Sequence, residues 1–234
     1  MNSEHHLSIV IPVLNEAGML AATLEALVPL RHSGVEVIVV DGGSQDATLT
    51  LAQPLADQVL EGPVGRTRQM NLGAYAASGE WLLFLHADTR LPEDALSALC
   101  QALGDSRAGN RVWGRFDIHL SGASSMLPMI SAMMNRRSRL TGIATGDQAM
   151  FMTRNAFERV GGFPDQPLME DIEISRRLKR LSRPACLEQK VTSAGRRWDK
   201  HGAWKTILLM WRLRYRYWRG EPAERLAKEY RYDK

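Results

Sequence analysis

Cysteine is scarce: only Cys100 and Cys186 occur in a chain of 234 residues. Their spacing rules out a disulfide framework or a cysteine zinc site, and the apolar context of each predicts buried thiols in a reducing compartment. Long apolar runs are missing as well. The longest, near Met126 to Met134 and Ile207 to Trp211, fall short of the roughly 20 residues a helix needs to cross a bilayer. Met1 to His6 carry no basic cluster, and the apolar run behind them stops at Asn15 and Glu16. This predicts that nothing directs export and that the chain is cytoplasmic. Internal repeats and low-complexity tracts are absent, which excludes repeat architectures.

The remaining composition is ordinary for a globular protein, 44% hydrophobic, and long enough for one large domain or a domain with an appendage. Charge is unevenly spread. The chain carries +4 in total, but residues 195–234 hold twelve Lys or Arg against five Asp or Glu, a local +7 that leaves −3 for the rest. Attraction to acidic partners therefore belongs to this tail.

Leu7 to Val13 is apolar and β-branched and predicts a first strand, with a helix from about Gly18 to Leu30 behind Asn15-Glu16. Val35 to Val40 predicts a second strand ending at Asp41. Gly42-Gly43-Ser44 then turn the chain, and Ser44 or Asp46 caps a helix to about Ala52. A short strand at Gln58 to Glu61 precedes a helix that opens near Gly65. Trp81 to Thr89, an apolar run that stops abruptly at His86-Ala87-Asp88, predicts a strand buried on both faces. Such succession predicts an α/β fold, a mostly parallel central sheet flanked by helices. Three strand ends then deliver Pro12 to Glu16, Asp41 to Ser44 and His86 to Asp88 to one edge, where open α/β sheets bind ligands.

Further on, the pattern predicts a helix from Pro92 to about Leu103, a polar loop at Asp105 to Asn110, and a strand within Arg111 to Leu120. A helix at Ser124 to Leu140, a short strand at Ala149 to Met152 and a helix from Met169 to about Leu181 follow. Met126, Met129, Met133 and Met134 share a broad helical face, which suits core packing or an adaptable surface for a lipid or bulky acceptor.

The strings IPVLNE, VVDGGSQDAT, GRTRQMN, FLHADT, GGFP and MEDIEISRRLKR, in this order and spacing, resemble family-two glycosyltransferases of the GT-A fold. The resemblance implies a Rossmann-like GT-A domain at 1–198, with a nucleotide-binding half at about 1–104 and an acceptor half at about 111–198. A basic, aromatic helical extension would occupy 199–234. It also implies a metal-dependent, inverting hexosyl transfer from a nucleotide diphosphate sugar, UDP-linked, to an acceptor hydroxyl, with manganese or magnesium as the cation. The FLHADT and MEDIE patterns are similar to those of compact glycosyltransferases associated with arsenosugar biosynthesis, which implies a small-molecule acceptor. Lipid, protein and polysaccharide acceptors stay open, although a processive synthase is disfavoured without spans.

Sugar transfer from a nucleoside diphosphate needs a nucleoside pocket, a cation on the leaving group and a base for the acceptor proton. By the resemblance, Pro12, Asn15 and Glu16 border the nucleoside and Asp41 hydrogen-bonds the uracil; from its surroundings alone Asp41 is equally a turn residue. Arg66 and Arg68 precede a helix and suit phosphate oxygens, Arg68 first and Arg66 as the alternative, or else they are solvated charges. His86-Ala87-Asp88 occupies the family's Asp-x-Asp position, which makes Asp88 the metal ligand; by itself Asp88 is a helix cap ahead of Pro92. Histidine in the first position departs from the pattern. It favours manganese over magnesium, or holds the ribose, or orients Asp88.

Asp171 falls where the family carries its catalytic base, with Glu170 beside it and with Asp147 and Gln148 on the acceptor. Otherwise the adjacent carboxylates simply complement a helix N-terminus. Gly195-Arg196-Arg197-Trp198 resembles an Arg-Arg-Trp element that closes over diphosphate and acceptor, with Arg197 and Trp198 its binding residues. His201 would complete a metal shell in that closed state, or is an exposed loop histidine.

In the tail, Trp204, Leu208, Trp211, Tyr215 and Trp218 share one helical face flanked by Arg212, Arg216 and Arg219, and a short charged helix follows Glu221. The simplest account packs the stripe on the domain. A second lays it on a membrane interface, peripheral to the inner face, which suits a lipid-linked acceptor. Two rival classes remain. A nucleotidyltransferase making nucleotide sugars shares the sheet but carries a glycine-rich basic loop after the first strand, unlike Pro12 to Glu16. A non-catalytic protein binding nucleic acid or anionic lipid through its tail would survive loss of Asp88 and Asp171, and no nucleic acid partner is expected.

Overall fold

A computed structural model describes residues 7–109 and 111–232. β1 (Leu7–Val13), β2 (Glu36–Asp41), β3 (Gln58–Glu61) and β4 (Trp81–Phe84) run parallel, joined by α1 (Ala17–His32), α2 (Thr48–Ala52) and α3 (Arg66–Ala76). Successive side chains of a strand point to opposite faces, so Ile9 and Ile11 enter one apolar layer with Leu20, Leu24 and Leu27 of α1. Val10 enters the other with Met70 and Ala74 of α3. Covered on both faces, these strands have no polar side to present, which is why they read as unbroken apolar runs. Gln69 of α3 is buried, and its Nε2 donates to the carbonyls of Val13 at 2.7 Å and Val40 at 2.8 Å. One amide thus ties together the carboxyl ends of β1 and β2. A Cβ at Gly42 would stand 3.0 Å from that amide, so glycine gives Gln69 its room where the chain leaves β2.

The sheet continues through β5 (Thr89–Arg90), β6 (Trp113–Ser121), β7 (Phe151–Thr153) and β8 (Ala185–Ala194), in the order β3-β2-β1-β4-β7-β6-β8-β5. β7 runs antiparallel to β4 and β6, while β8 is parallel to β6. Around this half lie α4 (Ala95–Gly109), α5 (Leu127–Thr141), α6 (Arg154–Arg159), α7 (Glu170–Leu178), α8 (Arg196–His201), α9 (Ala203–Trp218) and α10 (Ala223–Tyr232). The result is a mostly parallel, Rossmann-like sheet flanked by helices, with helices at the C-terminal end, as the sequence implies.

Several expectations are corrected. The loop expected at 105–110 is helical through Gly109, and Asn110 lies outside the described residues. A glycine costs a helix about 1 kcal/mol relative to alanine, too little to stop an established ladder. Cys100 is exposed and Cys186 half-buried, because α4 turns Ala95 and Leu99 inward and Cys100 out. Met126 and Met134 pack against the core, whereas Met129 and Met133 are exposed, so the methionine face is divided.

The aromatic stripe of α9 does not pack on the domain. Leu209 and Leu213 do so instead, with Met169 and Leu226, and the stripe faces outward. Among the described residues no helix is long and apolar enough to cross a membrane.

Candidate active site

His86 and Asp88 leave the carboxyl end of β4 into a cavity of about 570 Å³. Gly146 and Asp147 of the 3-10 turn Gly146–Gln148, the first turn of α7, and faces of α5, α8 and α9 form its other walls. The His86 ring lies against Gly146, where a Cβ would stand 2.9 Å from Nε2. Burial, reinforced by Arg66 and opposed by Asp88, pulls the imidazole pKa down to about 3, so the ring is neutral in any ordinary buffer. Asp88 Oδ2 accepts a hydrogen bond from Arg196 Nη2 at 2.7 Å, and the same guanidinium stands 3.5 Å from Glu16 Oε2. Arg196, read in the sequence only as part of the Gly195 to Trp198 element, is therefore tied to the carboxylates of this edge.

Asp171 sits in the first turn of α7. Its Oδ1 accepts from the Ile172 N–H at 2.8 Å and its Oδ2 from the Gly146 N–H at 3.2 Å. Burial and then the adjacent Glu170 raise its pKa to about 6, against these two donors and the charge of Arg137. It is thus ionised at neutral pH yet has appreciable proton affinity, as a general base requires. Glu170 is buried, 3.6 Å from Arg66 Nη1. Burial chiefly, with Asp171 adding, also raises the pKa of Asp147, whose Oδ1 has no partner among the described residues.

The expected set separates on this geometry. Arg66, His86, Asp88, Asp147, Glu170, Asp171, Arg197 and Trp198 all line the cavity. Arg68, expected to serve phosphate first, does not; its guanidinium grips Asp165 at 2.9 Å on an exposed surface. Two residues of helix rotate the side chain by about 200°, so Arg66 and Arg68 cannot share a target. Gln148 is fully buried and also misses the cavity. Its Oε1 accepts from the Thr145 N–H at 3.1 Å and the Thr145 hydroxyl at 3.2 Å, and its Nε2 donates to Asn135 at 3.4 Å, so it holds the turn that carries Asp147.

Asp41 is buried in its own turn, accepting from the Gly43 N–H at 2.9 Å, the Ser44 N–H at 2.8 Å and the Ser44 hydroxyl. Ser44 Oγ accepts from the Asn15 N–H at 2.8 Å, and Asn15 Oδ1 from the Gln45 N–H at 2.8 Å. Pro12, Asn15, Glu16 and Asp41 thus build a laced neighbouring edge, joined to the cavity through Glu16 and Arg196. His201, at the end of α8, is not on the lining.

Two further arginines line the cavity: Arg137 of α5 and Arg214 of α9, with buried nitrogens that have no partner among the described residues. The only hint in the sequence was a cation within an apolar helical pattern. Asn15, Ala149 and Met169 are the non-glycine residues with left-handed backbone among those described, at φ of 54°, 44° and 64°. They adjoin the Asp41 edge, the Asp147 turn and the start of α7. Each costs about 1–2 kcal/mol, and such strain gathers where function holds it in place.

Among the described residues no group of three or more His, Cys, Asp or Glu can hold a metal. Asp88 and a neutral His86, both on the cavity lining, are donor types that suit a divalent cation.

A profile of the family described as "Glycosyl transferase family 2" matches residues 8–161. A PGL/p-HBAD biosynthesis glycosyltransferase of Mycobacterium bovis (strain BCG / Pasteur 1173P2) is 36% identical over 115 residues, covering 46% of this chain and 45% of that protein. The chain spans about half the length of the curated relatives it matches. Among solved structures, S. aureus TarS 1-349 in complex with UDP-GlcNAc aligns at a TM-score of 0.63 and 16% identity, over 81% of this chain and 58% of that one. Glucosyl-3-phosphoglycerate synthase from Mycobacterium tuberculosis, in complex with Mn2+, UDP and glucosyl-3-phosphoglycerate, aligns at 0.60 and 18% identity, over 86% and 76%. At these identities the likeness is one of fold.

Proposed function

This chain belongs to glycosyl transferase family 2, and on that premise we propose that it is a metal-dependent, inverting enzyme moving a hexosyl group from a UDP-linked sugar to an acceptor hydroxyl. The observation that carries the reading is Asp171, a carboxylate with its pKa raised to about 6, on the same cavity as Asp88. Asp171 takes the proton of the acceptor hydroxyl. The freed oxygen attacks the anomeric carbon from the side opposite the diphosphate, the bond to the diphosphate oxygen breaks, and UDP leaves with configuration inverted.

Asp88 and neutral His86 would hold manganese or magnesium, which when bound supplies a Lewis acid for the leaving diphosphate. Arg66 and Arg197 suit the phosphate oxygens, and the laced edge of Pro12, Asn15, Glu16 and Asp41 borders the nucleoside. Residues 199–234 act as an extension of a domain at 1–198, adding the α9 wall to the acceptor side. The apolar lining there, Ile130, Met133, Met134, Ile207, Met210 and Trp211, favours an acceptor with an apolar part over the small polar molecule that arsenosugar kinship would suggest. We place the reaction in the cytoplasm, in keeping with the scarcity of cysteine. Family membership leaves the nucleotidyltransferase and non-catalytic readings without support.

The test is a melting screen of UDP and GDP sugars with manganese or magnesium, followed by UDP release and an NMR assignment of the product anomer. A UDP sugar with metal should raise the melting temperature. No shift with any nucleotide and either metal would refute the reading.

A further inference from the structure

Helix α9 has two apolar faces, and the domain uses one. Ala203, Thr206, Leu209 and Leu213 are buried. Trp204, Leu208, Trp211, Tyr215 and Trp218, spaced four, three, four and three residues apart, form the other, and each is between 60% and 71% exposed. A row of this kind on a water-facing helix marks a surface that something covers. Helix α5 adds a second exposed row at helical spacing, Met129, Met133, Arg136 and Leu140. The two rows meet at the cavity: Met133 and Trp211 are both exposed and both line it, so they stand where it opens to solvent.

We propose that this face, α9 with the exposed row of α5, lies on an anionic bilayer, and that the cavity takes an amphiphilic acceptor from it. Composition selects the bilayer. Tryptophan and tyrosine beside leucine and methionine suit a headgroup boundary; Arg212 and Arg216 are held by Glu229 and Glu221, so the attraction to a negative surface comes from the net +7 of residues 195–234 as a whole. A second copy of the chain would bring the +7 of residues 195–234 against itself. The cavity continues the match inward. Ile207, Met210 and Met134 offer an apolar wall for a chain, and the unpartnered buried nitrogens of Arg137 and Arg214 offer donors to an anionic headgroup. The word acceptor rests on the transferase reading; the docking does not.

The full chain would be sedimented with vesicles of phosphatidylcholine alone or with phosphatidylglycerol as the minor component. Binding should be at least about tenfold tighter to the anionic vesicles, fall with salt, and drop about tenfold in the double variant Trp204→Glu/Trp218→Glu. Neither residue lines the cavity, so melting stabilisation by UDP with manganese should be unchanged in that variant. In a second arm, octyl phosphate should stabilise the wild type more than inorganic phosphate or octanol does, and stabilise Arg214→Gln less.

Absent or equal binding by wild type and double variant overturns the docking. A dimer that the double variant disperses assigns the face to a second copy and overturns it too. Octyl phosphate no better than inorganic phosphate overturns the cavity half. Failure of the transferase reading would show separately, as lost stabilisation by UDP and manganese with vesicle binding intact.

Discussion

Replacing Asp171 by asparagine should remove transfer and yet make the fold more stable. The carboxyl has an ordinary pKa of 3.8 and is raised to about 6 in the folded chain, by burial first and by Glu170 second. A gap of that size corresponds to about 3 kcal/mol. Asp171 is only partly sealed from solvent, so about 1–2 kcal/mol is the realistic gain. In a chain of this length that is roughly 2–8 °C in melting temperature. Because the folded-state pKa is raised, the native chain holds the proton more tightly than the unfolded one. The stability tied to the protonated acid is fully present below about 3.8 and is lost as pH climbs through about 6; above that the charge is a constant penalty. Asparagine never carries the penalty.

The melting difference between D171N and wild type should therefore be largest above neutrality and vanish near pH 4. The same titration should appear in wild-type kcat/KM, measured as UDP release, as an acid limb near pH 6 with unit slope. D171N should keep nucleotide binding and lose about 10²–10⁴-fold in kcat. A variant that melts no higher than wild type at pH 8, or a difference that does not change with pH, would sink the reasoning.

Arg196→Gln should free Asp88 and lower the manganese concentration needed to stabilise the UDP complex, by up to about fivefold given the roughly 1 kcal/mol of an exposed pair; an increased requirement would show that Arg196 serves the nucleotide directly. Gly146→Ala should push the His86 ring from its seat and cut turnover at least about tenfold, and in a double-mutant cycle it should add little to His86→Ala. Gln148→Leu leaves the Thr145 N–H without its acceptor in the core, while Asn135 keeps both bonds to Ile118, so denaturant titration should show a loss of about 1–3 kcal/mol.

The first half of the sheet was legible because its elements are short apolar runs cut off by single polar residues, a pattern that fixes both the strand and the end at which it delivers a side chain. Asp88 could be placed from sequence for that reason. β8 could not: Glu188 and Lys190 interrupt it, and its strand state comes from pairing with β6, a partner far away in sequence. The methionine helix and α9 misled for a different cause. Each has apolar residues on more than one face, and periodicity reports that a face exists without saying which one the domain takes. Arg68 and Gln148 were chosen by proximity to a motif, and local rotation along α3 and a local turn decided against them.

Gln69 and the strand ends it joins all lie early in the chain, whereas Met210, Trp211 and Arg214 come from a helix after the stretch that matches the family. If α9 meets the acceptor as proposed, donor and acceptor recognition are separable in heredity. Selection could then rework what receives the sugar through substitutions on α9, or by exchanging the helix outright, while the loops proposed to present the donor stay under their own constraints. A lineage with this architecture could then change its product by altering one terminal helix.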